Sequence, residues 1–540
     1  MFNRAYRKIK KLLKQNKQAG SGDGAGSAGQ QPLAADLGRN IQELRSIFER
    51  CSDVVMRQLV INGEPPVDAF LVYIDGMVDV HLISDHVMRA LQMNPALVPR
   101  NQRLTGPDAF SKIKDSFIGV VGIKTTSDMQ QLVRQVVYGD AGLLIDGVAA
   151  AMVINARQWE SRTVEESNTE PVVRGPRDGF TEKLRTNTTL VRRRIKSHRL
   201  KMENYKIGQL TQTDVVVAYI DGIANDKVVE EVRRRLKRIK IDGILESGYI
   251  EELIEDQPYS IFPQVNVTER PDKLAANLLE GYVAIMVDNT PVTLIVPVTV
   301  PFLLQSSEDY YNRYLYAIFV RMLRFLALNI ALLLPSLYIA ITTYHQEMLP
   351  TLLFISIASQ REGMPFPAFV EALFMETVFE ILREAGIRLP RQIGQAVSIV
   401  GALVIGDAAV KAGLVSPAIV MVVALTAIAS FTIPNYSASF SIRILRFPIM
   451  VLAAILGLFG IMTALMVILY HLCSLRSFGV PYLSPLAPIN FHDMQDTIIR
   501  MPRWSMFQRP QLVAYKDPRR MSRGQKPGPG RQDKGDRGDA

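Results

Sequence analysis

Four carboxylates, Glu371, Glu376, Glu380 and Glu384, stand in otherwise apolar surroundings. The last three repeat at i, i+4, so a helix carries them on one face. Just upstream, Gln360-Arg361-Glu362-Gly363-Met364-Pro365-Phe366-Pro367 combines a glycine with two prolines that a helix does not run through. The chemistry open to such a set is electrostatic. Repeated around a ring of subunits, the acids form a collar that attracts cations. In that reading Met364, Pro365 and Pro367 form the constriction, and Glu371, Glu376 and Glu380 the lining. The competing reading is an interfacial amphipathic helix whose acids pair with Arg383, Arg388 and Arg391. Asp407 and Lys411, also at i, i+4, are expected to pair at the end of an apolar segment.

The elements that position these acids are long uncharged runs. Residues 447–475 contain no Asp, Glu, Lys or Arg, and exceed the ~20 residues needed to cross hydrocarbon. Residues 325–344 are uncharged and follow Arg313, Arg321 and Arg324, which are expected to snorkel into headgroups. Residues 412–442 are trimmed by Pro417 and Pro434, and 392–406 make a fourth candidate. The expectation is an all-α, multi-span membrane domain over 311–475 with four to six hydrophobic segments, 349–384 being re-entrant. Non-helical backbone at membrane depth needs protein or a wet cavity around it. The basic tail, 476–540, reads as cytoplasmic and as disordered after about 516. Arg443 and Arg446 fall in an outside loop if four spans are drawn, against the positive-inside rule, and five spans misplace the tail. Sequence leaves that parity open.

The first three hundred residues read as α/β, built from two tandem related subdomains. Tyr73-Ile74-Asp75-Gly76 recurs as Tyr219-Ile220-Asp221-Gly222, and each is followed by a helix, a strand, a helix and a hairpin. The spacing Asp75 to Asp146 is 71 positions, and Asp221 to Asp288 is 67. The expected order is a basic leader and flexible linker over 1–36, subdomain 1 over 37–160, a basic helical connector over 161–205 and subdomain 2 over 206–310. Within these, the pattern predicts helices from Leu37, over 84–91, over 125–138 capped by Ser127 or Asp128, from Asp226, and over 271–279. Strands are expected over 69–74, 117–124, 215–220 and 262–268, with hairpins at 143–148 and 285–289.

No enzyme is legible. The Asp-Gly and Asp-Asn pairs are the residues that tight turns require. No glycine-rich phosphate loop follows a strand, and His81, His86 and His198 lack a second metal ligand at useful spacing. Neither cofactor nor metal is expected. The net charge of +10 sits in blocks. Residues 1–18 suit a helix on an anionic leaflet, or a disordered basic leader, and no signal peptide is apparent. Residues 183–201 read as one cation-rich helix, with Arg234 and Arg235 in a second basic block. Arg192, Arg193, Arg194, Arg234 and Arg235 are candidate contacts to a neighbouring subunit or to lipid phosphate, against a merely solvated face. No nucleic-acid motif is present. Cys51 and Cys473 make no disulfide framework, which fits a reducing compartment.

Several strings together resemble one family, the A subunits of bacterial spore nutrient-germinant receptors of the GerA type. They are Gly175-Pro176-Arg177-Asp178-Gly179-Phe180, Ile241-Asp242-Gly243-Ile244-Leu245-Glu246 and Thr268-Glu269-Arg270-Pro271-Asp272. In the apolar half they are Arg361-Glu362-Gly363-Met364-Pro365-Phe366-Pro367 and Gly406-Asp407-Ala408-Ala409-Val410-Lys411-Ala412-Gly413. The resemblance spans roughly 37–510 and implies a spore inner-membrane protein, while the excess positive charge ahead of the first span puts the N-terminal half in the cytoplasm by the positive-inside rule. It implies a polytopic, nutrient-sensing B subunit and a lipoprotein C subunit as partners, and ion release early in germination. An oligomeric, nutrient-gated cation channel is the expectation. A non-conducting scaffold or signalling subunit and a secondary transporter are the alternatives, although no inverted repeat among the spans supports the last.

Overall fold

The computed structural model describes residues 31–61, 66–84, 105–116, 122–158, 166–167, 170–388, 406–514, 516–522 and 524–528. The basic leader, all but the first residue of the 84–91 helix, the start of the 117–124 strand, almost all of 392–406 and Arg391 lie outside them. The chain divides into two compact units, Met1–Trp159 with Lys196–His198, and Glu160–Ile195 with Arg199–Ala540.

In the first unit the order is α1 (Leu37–Ile47), β1 (Val54–Ile61), β2 (Val67–Ile74), α2 (Gly106–Ser116), β3 (Ile123–Thr126), α3 (Met129–Val137), β4 (Ala141–Ile145) and β5 (Ala151–Ile154). The strands form one sheet, β1-β2-β4-β5-β3, with every neighbour antiparallel. Alternate residues of β2 enter the two cores: Leu71 and Tyr73 on one face, Phe70 and Val72 on the other. Leu37, Ile41 and Leu44 place α1 on the second face. Asp128 caps α3, accepting from Gln130 N at 3.2 Å.

The second unit repeats this plan with α4 (Leu184–Arg194), β6 (Leu200–Ile207), β7 (Thr213–Ile220), α5 (Asp226–Arg238), α6 (Ser247–Ile254), β8 (Asn266–Thr268), α7 (Pro271–Leu279), β9 (Val283–Val287) and β10 (Thr293–Val296). The sheet order β6-β7-β9-β10-β8 is the same permutation. Equivalence reaches individual hydrogen bonds. Asp146 Oδ1 accepts from Leu37 N at 3.1 Å, and Asp288 Oδ1 accepts from Leu184 N at 3.1 Å. Asn40 Nδ2 donates to Ala34 O at 2.8 Å as Asn187 Nδ2 donates to Thr181 O at 2.6 Å. The hairpin aspartates therefore satisfy the first amide of a helix that enters from elsewhere in the chain.

The cation-rich helix ends at Arg194, not Lys201: Leu200 to Ile207 form a strand in which Leu200 and Met202 are fully buried. Their alternation was hidden among lysines. The sequence pattern predicts neither strands β1 and β6 nor helices α2 and α6.

The helical half contains α8 (Tyr314–Thr343), α9 (Thr351–Arg361), α10 (Ala368–Arg388), α11 (Gly406–Lys411), α12 (Pro417–Phe431), α13 (Tyr436–Leu456) and α14 (Leu458–Ser474). Two of these, α8 and α13, are long and apolar enough to cross a membrane, while α12 and α14 are apolar but shorter. The uncharged run 447–475 is not one helix. It breaks at Gly457, whose φ of 60° suits a residue without Cβ. A Cβ there would also meet His345 Cε1 at 2.8 Å.

The sheet of the second unit and the helices share one core. Asn435 Nδ2, at the start of α13, donates to Asn266 Oδ1 at 2.6 Å, and Ser441 Oγ to Ile261 O at 2.6 Å. At the end of α14, His471 Nε2 lies 2.9 Å from Ser260 Oγ, and beyond it Tyr482 OH donates to Pro263 O at 2.7 Å. At the far end, Tyr344 OH, after α8, donates to the carbonyls of Ala454 (3.0 Å) and Ile455 (2.9 Å). Thus α8 and α13 run away from the sheet and α14 returns to it.

Candidate functional site: carboxylates and arginines inside the helical half

Helix α10 starts after an exposed turn. Met364 N donates to Arg361 O at 3.0 Å and Glu371 N to Pro367 O at 3.1 Å; Met364 is half-buried, whereas Pro365, Phe366 and Pro367 are exposed. The expected constriction residues therefore occupy the tip between α9 and α10. Helix α9 buries none of its residues in this chain.

The acids point inward. Glu371 is 1% exposed; its Oε2 accepts from Ser416 N, ahead of α12, at 2.9 Å, and its Oε1 lies 3.5 Å from Arg361 Nε. Glu376 is fully buried, and its Oε2 accepts from Arg446 Nη1. Arg446 is itself 1% exposed and donates through Nε to Ala331 O of α8 at 2.9 Å. Glu380 accepts from Arg383 and, at 3.4 Å, from Arg443 Nη1. Rising numbers on α10 meet falling numbers on α13, so the two helices are antiparallel. Glu384 and Arg388 form an exposed pair at 2.6 Å, as do Asp407 and Lys411 at 2.6 Å.

Each of the three inner acids retains an oxygen that accepts no hydrogen bond among the described residues, although that of Glu371 faces Arg361. Glu371 Oε1, Glu376 Oε1 and Glu380 Oε1 are buried and accept no hydrogen bond, and Arg446 Nη2 donates none. A buried carboxylate oxygen in that condition costs free energy unless water, a cation or a neighbouring donor reaches it.

Arg443 and Arg446, which a four-span drawing puts in an outside loop, are α13 residues at i, i+3, with Arg443 7% exposed. A legible signal existed: Asn435 is an N-cap whose side chain accepts from Ala438 N at 2.8 Å, which starts the helix before both arginines. Nor do Arg321 and Arg324 snorkel. Arg321 donates to Asp309 Oδ2 (2.9 Å) and Asp496 Oδ1 (2.8 Å), and Arg324 to Asp309 (2.8 Å).

The basic residues proposed for contacts lie in different settings. Arg192 is fully buried and donates to Leu200 O at 3.0 Å, so it offers no surface to a partner. Arg194 binds Asp178, and Arg235 binds Glu231 (2.7 Å), Asp256 and the Ile254 carbonyl. Arg234 is exposed beside Glu231, and Arg193 is half-buried on α4. Among the described residues no group of His, Cys, Asp and Glu could hold a metal ion.

Comparison with known proteins adds the following. The family model described as Bacillus/Clostridium GerA spore germination protein matches residues 42–512. The membrane protein YfkQ of Bacillus subtilis (strain 168) is 48% identical over 89% of this chain and 92% of its own. Spore germination protein KA of the same organism is 44% identical, covering 92% and 90%. Spore germination protein GerLA of Bacillus cereus is 38% identical, covering 90% and 97%. A crystal structure of the N-terminal domain of the A subunit of the Bacillus megaterium spore germinant receptor GerK3 aligns over 50% of this chain and 97% of its own, with 37% identity and a TM-score of 0.40.

Proposed function

This chain belongs to the GerA family of spore germination proteins, and on that premise we propose that it is the A subunit of a nutrient-germinant receptor and forms an oligomeric, nutrient-gated cation path. It performs no catalysis in this reading. Its partners are a nutrient-sensing polytopic B subunit, a lipoprotein C subunit, further copies of itself and the lipids of the spore inner membrane.

The helices α8, α12, α13 and α14 cross the membrane, and the N-terminal half is cytoplasmic. Both the entry to α8 and the segment after α14 bond to the α/β part of the second unit, through Tyr311 OH to Asp272 of α7 and Tyr482 OH to Pro263 ahead of β8. That arrangement favours an even number of crossings. It also removes the earlier conflict, because Arg443 and Arg446 sit within α13 rather than in an external loop. Arg446 is ten residues into α13, roughly 15 Å along its axis, near the middle of a ~30 Å hydrocarbon layer.

The observation that carries the conducting reading is the set of buried oxygens on Glu371, Glu376 and Glu380 that accept no hydrogen bond among the described residues. Ionisable groups at membrane depth face a bundle interior or a wet cavity and mark ion pathways. A strip of half-satisfied carboxylates is a cation-attracting wall that needs water or ions to complete it. Nutrient binding opens the path only to the extent that the open state binds nutrient more tightly.

A second reading, a non-conducting scaffold or signalling subunit, is favoured by the arginines: Glu371, Glu376 and Glu380 each have one within the same chain. Potassium efflux from proteoliposomes holding the purified receptor separates the two. Conduction predicts nutrient-dependent efflux that Glu371→Gln reduces and Met364→Ala alters. Equal efflux in wild type and both variants contradicts it.

A further inference from the structure

Between α7 and the segment that follows α14 lies a cavity of about 340 Å³, lined by Asn277, Glu280, Tyr282 and Phe302 on the sheet side and by Arg500 and Arg520 on the other. Its acids already have partners. Glu280 accepts from Arg520. Asp496 accepts from Tyr310 OH at 2.6 Å and from Arg321 Nη1 at 2.8 Å. Asp493 accepts from Asn490 Nδ2 at 3.0 Å and from Gln511 N at 3.1 Å.

Several of its donors are not satisfied, although Arg500 Nη1 donates to Asn312 O at 3.3 Å. Arg500 Nε, Arg520 Nε and Nη1, and Asn277 Nδ2 are all buried without a hydrogen-bond partner among the described residues. Arg500 is only 4% exposed and Asn277 8%. Burial, opposed by Asp496 and Tyr310 and helped by the Arg321 and Arg503 cations, pushes the Arg500 pKa below its ordinary value. Four orphaned nitrogens from three side chains around one void, carrying six N–H bonds, are costly as they stand, because a buried donor left unmade loses its hydration without a replacement. An oxyanion removes that cost, because guanidinium groups present paired donors to phosphate or carboxylate oxygens.

We propose that this cavity is an oxyanion-binding site. It takes the phosphate or carboxylate group of a small ligand on Arg500, Arg520 and Asn277. The stacked rings of Tyr282 and Phe302, 5.0 Å apart at 14°, receive an apolar portion. Occupancy fastens the segment carrying Arg500 and Arg520 to α7. The site is independent of whether the helical half conducts ions. Its ligand comes either from solution or from the headgroup of an anionic lipid, since Tyr310, just ahead of α8, also lines the void.

The test uses the purified full chain in detergent, with thermal unfolding followed against inorganic phosphate at constant ionic strength. Phosphate is expected to raise the midpoint with the logarithmic dependence of single-site binding, and Arg520→Gln to raise the fitted Kd at least about tenfold. If Arg520→Gln does not fold, Asn277→Asp, which keeps the side-chain shape and sets a carboxylate against the site, must abolish the response. Repeating the titration in phosphatidylglycerol nanodiscs distinguishes the sources. A response suppressed there assigns the site to lipid headgroups, and a preserved response assigns it to soluble anions. The proposal is overturned if wild type responds neither to phosphate nor to phosphatidylglycerol, or if a folded variant responds as wild type does.

Discussion

Arg446 of α13 and Glu376 of α10 join in a contact from which solvent is excluded on both sides, the arginine being 1% and the carboxylate 0% exposed in their side chains. The pair ties three helices, because the same guanidinium also holds the Ala331 carbonyl of α8. Removing one partner strands the other as a buried charge, at a cost of about 3–5 kcal/mol. Glu376→Gln and Arg446→Met are each expected to lower the unfolding midpoint of the detergent-solubilised protein strongly. The double variant Glu376→Leu with Arg446→Met restores most of the loss. A double variant as unstable as the sum of the singles contradicts this account.

The repeated hairpin aspartates make a paired prediction. Asp146→Ala and Asp288→Ala each free the first amide of a helix, Leu37 N or Leu184 N. Asp146 is exposed and Asp288 half-buried. The expected losses are about 0.5–1 kcal/mol for the first and about 1–2 kcal/mol for the second, read by denaturant unfolding. Equal and negligible effects contradict the capping role.

How far this fold was legible depends on what each signal was competing with. The two sheets were visible because Asp75-Gly76 and Asp221-Gly222 mark the same strand end, with Gly76 and Gly222 at φ of 79° and 75°. Strand β6 was not, since the lysines among Leu200, Met202 and Ile207 resembled a continuing basic helix. Hydropathy found α8 but joined α13's end to α14 across Gly457, because composition carries no record of a positive φ. The acids of α10 were found by spacing alone. Their partners Arg443 and Arg446 were missed because charge in an apolar run reads as a loop until a facing carboxylate is seen. The orphaned donors around Arg500 and Arg520 have no sequence signature, as they depend on segments brought together by folding.

Gly457→Ala tests the break between α13 and α14. Positive φ and the approach of His345 together make any side chain there strained. The loss expected is about 1–3 kcal/mol, seen as a lower unfolding midpoint. An unchanged or higher midpoint means the break is not imposed by the glycine.

Glu251, on α6 of the second unit, has its carboxyl pushed up to about 7, first by burial and then by the nearby Glu255, Glu246 and Glu252. An unfolded chain releases that proton near 4.5. Between these values the folded state holds a proton that the unfolded state has lost, so stability falls as pH rises through the window and levels off above it. Glu251→Gln removes this fall. Its midpoint should match wild type near pH 4.5 and exceed it at about pH 8. Parallel pH profiles for the two proteins contradict the assignment.

The conducting reading requires water to reach the face of α10 that carries Glu380. It is tested most directly by thiol accessibility, in a Cys51→Ser, Cys473→Ser background reconstituted in vesicles and probed with a membrane-impermeant methanethiosulfonate. Glu380→Cys is predicted to react, while Phe374→Cys and Ile381→Cys, which project from other faces of the helix, stay silent. A folded Glu380→Cys variant that does not react would contradict a wet path along this helix.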